Sequence, residues 1–481
     1  MKRFLLLLVL TPLFLSSCQG DVDLNEINSI TPHELNLTSS NSEIKKNIIV
    51  NIMSSHFGGF RLNDNTRAQS DFTLTPFTFK GDTVMYVAQY TNGWELYSTD
   101  LSVSMIICSS PYGKFNLDDP NLPDALRNMI MDQANAIYNR RQEKIETIDS
   151  SWEGLAITDD ILAKGKTMIL NTDGTYSVTE NSQLPPGHWE LIEAKEVNKT
   201  VEETGKLTKT QWGQSSPWNT YSDKVLLTGT DTYQSAPAGC GPVAMAQYVY
   251  ATYQKNEVPN ISSITAFYNK LTKTYIFAQA QGQKFSWNKV ALKSTDPDTS
   301  TTALLIGYIG HCLSATYTID GTSTTTDNVI DFFKANYEKP YQMLYFDKNK
   351  VITTLKNELP VFTRASSTIY TENKYETVGH AFLIDKYQKV TSQLEYTYAW
   401  IRDPLPSGTP DIWEADVRDS NGNIIKYAYI KTDVDILSEK ENISMNWGWN
   451  GNYNDVLYSI DEDWQTGKYL FNQYIRIFLP Q

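Results

Sequence analysis

The sequence predicts an α+β protein, and three stretches predict it. Thr83-Val84-Met85-Tyr86-Val87-Ala88-Gln89-Tyr90 and Trp94-Glu95-Leu96-Tyr97-Ser98 are rich in strand formers and flank Asn92-Gly93, a strong hairpin signal. An alanine-rich run opens at Cys240, with Val243, Ala246 or Gln247, and Tyr250 at helical spacing. Gly379 to Asp385 reads as a strand on which His380, Phe382 and Ile384 share one face.

The chain starts with a processing signal. Lys2 and Arg3 precede an apolar run, Phe4 to Leu15, that is too short to cross a bilayer. Leu15-Ser16-Ser17-Cys18 resembles the bacterial lipobox, where the cysteine is diacylated and becomes the new N-terminus. Residues 1–17 are therefore expected to be a signal peptide. Cys18 is expected to be lipidated and to anchor an exported lipoprotein at the outer membrane or cell surface, with release after processing. Residues 18–70 begin Asn- and Ser-rich, as a tether does, with a helical patch near Ser42 to His56.

Residues 71–150 read as a small α+β domain. After the hairpin comes an apolar strand, Val103 to Cys108, which makes Cys108 a core residue. Leu122 to Arg140 follows as a helix, with Leu126, Met129, Ile130, Gln133, Ala134 and Ile137 close to one face. Residues 151–205 read as a connection. It holds short strands within Trp152 to Val178 and a turn at Pro185-Pro186-Gly187-His188. The Lys- and Glu-rich stretch from Glu190 to Lys209 reads as a solvated linker open to proteases. Further helices are expected at Thr301 to Tyr308, Asp327 to Tyr337 and Val351 to Leu359, and strand from Pro360 to Thr363.

Composition narrows the function. A net charge of -14 leaves no excess of Lys and Arg to neutralise phosphates, which argues against a nucleic-acid partner. Cys18, Cys108, Cys240 and Cys312 form no CxxC pair, so neither a metal nor a cofactor is expected. With 5 histidines, any Cys–His chemistry has few candidate partners. His188 is expected in a surface loop. His311-Cys312 is expected to be structural and buried, because adjacent residues point in different directions.

Cys240 is the best candidate nucleophile. It lies between Gly239 and Gly241 at a helix start, where the macrodipole favours thiolate. Pro242 suits a first turn, since its missing N–H has no partner there anyway. A thiol nucleophile needs a base that later protonates the leaving group, and His380 is the candidate. The imidazole needs an orienting Asn, Asp or carbonyl, which Asn446 can supply. The Cys240 N–H and the Gln234 side-chain amide are candidate oxyanion donors.

Four motifs carry a resemblance, and they occur in order. They are Trp212-Gly213-Gln214 with Pro217-Trp218-Asn219; Ala238-Gly239-Cys240 with Ala244-Met245-Ala246-Gln247; Gly379-His380-Ala381-Phe382-Leu383-Ile384-Asp385; and Asn446-Trp447-Gly448-Trp449-Asn450-Gly451. Together they resemble those of the streptopain-type cysteine peptidases, a branch of the papain-like fold, and residues 82–140 resemble the family's inhibitory pro-domain. The resemblance covers about residues 75–481. It implies a papain-like fold of two lobes, one helical and led by the Cys240 helix, one a twisted antiparallel sheet carrying His380. A small α+β pro-domain at 71–150 and a pro-region or linker at 151–205 would precede a peptidase domain at 206–481. It implies Cys240 as nucleophile, His380 as general base and acid, and Asn446 and Trp447 as residues that position or shield the imidazole. The partners implied are a protein or peptide substrate in the cleft and the chain's own pro-domain as intramolecular inhibitor, removed by cleavage within 150–210.

Three departures accompany it. Family members usually have Cys-Val where this chain has Cys240-Gly241-Pro242. The 66-residue interval from His380 to Asn446 is long, which points to an insertion at 388–444 with a hairpin around Asp419 to Asn423. The 151–205 region exceeds a minimal pro-segment. The expected activity is that of a secreted, lipid-anchored cysteine endopeptidase made as a zymogen. The alternatives are a peptide-binding lipoprotein on the same fold and an acyltransferase or amidase using the same dyad.

Overall fold

The structure is a computed structural model. It describes residues 72–143, 149–152, 166–170, 176–178, 187–227, 229–255, 266–269, 274–277, 286–319, 321–371, 374–402, 417–418, 424–425, 430–460 and 474–480. The expected signal peptide, Cys18 and the 18–70 tether lie outside these residues.

The N-terminal region begins with β1 (Phe72–Phe79), β2 (Asp82–Tyr90), β3 (Trp94–Ser98) and β4 (Ile106–Ser110), all antiparallel neighbours. The Asn92-Gly93 turn joins β2 to β3, and the Tyr90 N–H donates to the Gly93 carbonyl at 3.0 Å. Helix α1 (Asp124–Glu143) lays Leu126, Met129, Ile130, Ala134 and Ile137 on this sheet, in one core with Cys108. That is the face its apolar spacing predicts.

The described residues of the 151–205 region include strands. They are β5 (Lys166–Leu170), β6 (Tyr176–Val178) and β7 (Gly187–Glu203). His188 therefore sits in a strand, opposite Ile401, and not in a surface turn. Next come β8 (Lys224–Leu226) and β9 (Tyr233–Ser235), a short ribbon ahead of α2 (Cys240–Gln254). Then come the pair β10 (Ala266–Asn269) and β11 (Thr274–Phe277), helix α3 (Thr299–Cys312), and the pair β12 (Thr316–Tyr317) and β13 (Thr322–Ser323). Helix α4 (Thr326–Asn336), β14 (Tyr341–Tyr345) and α5 (Lys348–Lys356) follow. Thr325 caps α4 and Asp347 caps α5, each side chain accepting from an N–H three residues on. The rest is β15 (Val361–Thr371), β16 (Lys374–Arg402), β17 (Val417–Arg418), β18 (Ile424–Ile425), β19 (Ile430–Asn446), β20 (Leu457–Ser459) and β21 (Tyr474–Pro480).

One antiparallel sheet unites most of these strands. Its order is β1-β2-β3-β4-β20-β19-β16-β15-β21-β14, with β7 on β16 and β5-β6 on β19. The N-terminal strands join it where Tyr458 faces Cys108 and Leu457 faces Ser109. Val361 to Thr363 of β15 and Ala381 to Asp385 of β16 are buried on both faces. Phe382, Ile384, Val361 and Ile477 face α1 and α5, while Ala381, Leu383, Phe362 and Phe478 face α2, α3 and α4. Helix α2 is buried over most of its surface, which explains its apolar composition all round.

β7 runs from Gly187 opposite Arg402 to Glu203 opposite Gln388. Its charges pair at the surface: Glu203 pairs with Lys386 at 2.8 Å and Glu202 with Lys356 at 2.7 Å. An outer strand with Lys and Glu on an open face lacks the alternation that marks a strand in sequence. The described residues of the long interval after His380 are likewise strand, with β16 and β19 paired from Gln388 opposite Asn442 to Tyr398 opposite Thr432. β17 and β18 pair as the arms of a hairpin; its turn, 419–423, lies outside the described residues.

Candidate active site

Helix α2 starts at Cys240 because the residue before it can take an unusual backbone. Gly239 has φ 88° and ψ 145°, and a Cβ there would lie 2.6 Å from the Thr322 Cβ. No side chain caps the first turn, so its N–H groups and the positive end of the helix face the thiol's surroundings. The approach is fixed by the Ala238 N–H, which donates to the Gln214 carbonyl at 2.7 Å, and by the Thr322 hydroxyl, which donates to the Pro237 carbonyl at 2.6 Å.

His380 comes from β16, opposite Ala365. Its Nε2 lies 3.0 Å from the Trp447 carbonyl oxygen. A carbonyl only accepts, so Nε2 carries the proton and Nδ1 keeps its lone pair for the thiol. The imidazole is flanked by the rings of Trp447, centroids 5.9 Å apart, and Phe382, 6.2 Å. Trp447 is fully buried, and its Nε1 donates to the Tyr458 hydroxyl at 3.2 Å.

These groups set the state of Cys240, which is partly exposed. Burial pushes the thiol up. The charge and hydrogen bond of His380, the Ala381 N–H and the Arg364 guanidinium outweigh it, and the thiol is brought down to about 7. Cys108 and Cys312 are the contrast: burial raises both, and Cys312 gains only a hydrogen bond from Tyr308. His311 is exposed at the end of α3, so the buried setting expected for the His311-Cys312 pair is not found.

Asn446 does not orient the ring with its side chain. Its Oδ1 accepts from the Gln247 amide at 3.0 Å and the Gly448 N–H at 3.2 Å, and its Nδ2 donates to the Thr210 carbonyl at 2.8 Å and the Thr208 hydroxyl at 3.0 Å. Asn446 thus fixes the turn whose next residue presents its carbonyl to His380. Sequence distinguishes main-chain from side-chain acceptors poorly, because every residue carries a carbonyl.

Gln234 stands exposed on β9, opposite Val225, and among the described residues no hydrogen bond joins it to Cys240. As an expected oxyanion donor it has no support in this geometry, since the β8–β9 ribbon holds it on an open surface. The first motif acts as a clamp instead. The Trp212 indole donates to the Ala291 carbonyl at 2.7 Å, the Trp218 indole to the Asn450 side chain at 3.0 Å, and the Asn450 N–H to the Trp212 carbonyl at 3.0 Å.

Asp385, the last residue of the His380 motif, is fully buried. Burial raises its carboxyl, against Lys206, Thr208 and Ser444, which hydrogen-bond it. It pins the 204–210 segment under β16, since the Leu207 N–H donates to the Asp385 carbonyl at 2.9 Å. Reading the residues alone missed one neighbour of the thiol, Arg364 on β15; an arginine in an apolar strand was the available signal. Among the described residues, no group of three or more His, Cys, Asp or Glu side chains is placed to hold a metal.

Residues 212–401 match the model of the Peptidase C10 family. The chain is similar to the solved structure of a Prevotella intermedia prointerpain A fragment with one cysteine-to-alanine substitution. Identity is 14%, over 85% of this chain and 98% of that one, with a TM-score of 0.47. It is also similar to active wild-type interpain A cysteine protease from Prevotella intermedia, at 18% identity over 57% of this chain and 94% of that one, with a TM-score of 0.35. No curated protein matches the chain. The matched segment, 212–401, contains both Cys240 and His380.

Proposed function

We propose that the chain is a cysteine endopeptidase made as a zymogen, with Cys240 as nucleophile and His380 as general base and acid. The observation that carries this reading is the Cys240 thiol brought down to about 7 beside an imidazole whose other nitrogen is held by a carbonyl. The thiol proton passes to Nδ1 of His380, and the sulfur attacks the scissile carbonyl carbon. The oxyanion meets the N–H of Cys240 at the uncapped helix start. The imidazolium protonates the leaving nitrogen, the C–N bond breaks and a thioester remains. Water then gives a proton to Nδ1 and attacks the thioester, releasing the acid and the thiol.

The zymogen reading rests on the N-terminal region's contacts with the turn that holds His380. The Tyr453 hydroxyl donates to Asp119 at 2.8 Å, and β4 pairs with β20 just beyond that turn. A cut N-terminal to β5 would free β1–β4 and α1 while β5–β7 stay paired to β16 and β19. Lipidation at Cys18 and export to the outer membrane or cell surface belong to the same proposal, on the strength of the lipobox-like Leu15-Ser16-Ser17-Cys18.

The test is protein hydrolysis under reducing conditions by the chain from residue 19, with and without limited proteolysis in 150–210, beside Cys240→Ala. Activity is expected on nicking and none in the variant. Hydrolysis that persists in Cys240→Ala overturns the reading. Peptide binding without cleavage in every form makes the chain a binding protein.

A further inference from the structure

Arg364 is a charge in an unusual place. It sits on β15 opposite Ala381, one residue from the partner of His380. Its side chain leaves the sheet and reaches the segment before α4. Nη2 donates to the Thr324 carbonyl at 2.7 Å and Nη1 to the Thr326 hydroxyl at 3.1 Å. That segment wraps the start of α2: the Thr324 hydroxyl lies 2.5 Å from where a Cβ on Gly241 would stand, and Thr322 lies against Gly239. This contact also accounts for the glycine after the cysteine, since a Cβ there would force the Thr324 side chain to shift.

Among the described residues no carboxylate pairs with Arg364, and both of its hydrogen-bond acceptors are neutral. A partly buried cation is costly unless a negative charge faces it. The opposite charge that acts on it is the Cys240 thiolate.

We propose that Arg364 is a positioning residue of the active site, which ties the sheet to the Thr322–Thr326 segment around Cys240 and supplies, beside His380, a second positive charge for the thiolate. The inference rests on the reading of Cys240 as an ionised nucleophile. The charged groups that act on the thiol are His380 from β16 and Arg364 from β15. Among the described residues, no other charged group acts on the thiol. Thr322 to Thr326 is uncharged, Cys312 and Tyr308 on α3 bond each other, and the Tyr317 hydroxyl is raised by burial and by Asp223. Because a guanidinium stays charged across the working range, it holds the thiolate after His380 has lost its proton.

The experiment follows the rate of Cys240 alkylation by iodoacetamide against pH in the full chain from residue 19, for wild type, Arg364→Gln and Arg364→Lys. It reads ionisation of the thiol and needs no hydrolysis, so it separates this inference from the peptidase reading. Arg364→Gln is expected to raise the midpoint by about one pH unit, a roughly tenfold slower reaction below it. Arg364→Lys, which keeps the charge and loses the fork, is expected to stay within about half a unit. An unchanged midpoint in folded Arg364→Gln overturns the proposal. Where Arg364→Gln does not fold, a rise of about one unit or more in folded Arg364→Lys does so.

Discussion

Two cysteines in this chain occupy different settings, one inside the sheet and one at a helix start. Cys108 lies in β4 under Tyr458, is buried, and is pushed far up by that burial alone. Cys240 also pays for burial, yet ends at about 7. The difference is not depth alone, although Cys240 is the more exposed of the two. Burial is what acts on the Cys108 thiol, whereas Cys240 has an imidazole, a guanidinium, an N–H group and a helix start arranged about it. Reactivity in a thiol follows from oriented positive charge near it, and burial without that charge makes an inert core residue.

The comparison breaks first at the nucleophile. Cys240→Ala is expected to lower hydrolysis by at least about a thousandfold, while Cys108→Ala leaves the rate of the nicked chain unchanged; initial rates on a casein-type substrate measure both. A second expectation concerns Asp385, the sealed ionic site on the same strand as His380. Asp385→Ala should cost about 3 kcal/mol in urea unfolding, because Lys206, Thr208 and Ser444 lose their acceptor. Its effect on the alkylation midpoint of Cys240 should be small, and a large shift would mean that the two sites are not separate.

A third way to sharpen the contrast is pH. In wild type the alkylation rate of Cys240 should rise through about pH 7, and in His380→Ala the midpoint should move up by about two units, towards Cys108-like behaviour. The sign for stability is fixed by the same shift. A thiol whose folded value is depressed stabilises the fold above the unfolded-chain value, and that contribution fades as pH falls through about 7. The smallest effect is expected at Cys108→Ala, about 1 kcal/mol in thermal unfolding from the lost sulfur contacts.

Much of this site is legible in the sequence, for physical reasons. A cysteine between glycines before an apolar run specifies a helix start, and a histidine leading an apolar strand specifies a sheet end. What the sequence does not display is which acceptor holds the imidazole. Asn446 has the right chemistry, but Gln247, Thr208 and Thr210 engage its amide, and the Trp447 main chain takes the role. Gln234 has a suitable amide too, yet backbone pairing with Val225 places it elsewhere. Arg364 was hidden because it acts across the cleft, through partners 38 and 40 residues away. The β7 strand was misread because charge along an outer strand imitates the composition of a linker.

The pairing of β4 with β20 has a consequence for what remains after the N-terminal region departs. β20 would then become the border of the sheet, with backbone donors and acceptors of Leu457 and Tyr458 open to solvent. Such a border is a template for self-association. Here it is only 3 residues long, so any stacking of one molecule on the next would start from a few hydrogen bonds.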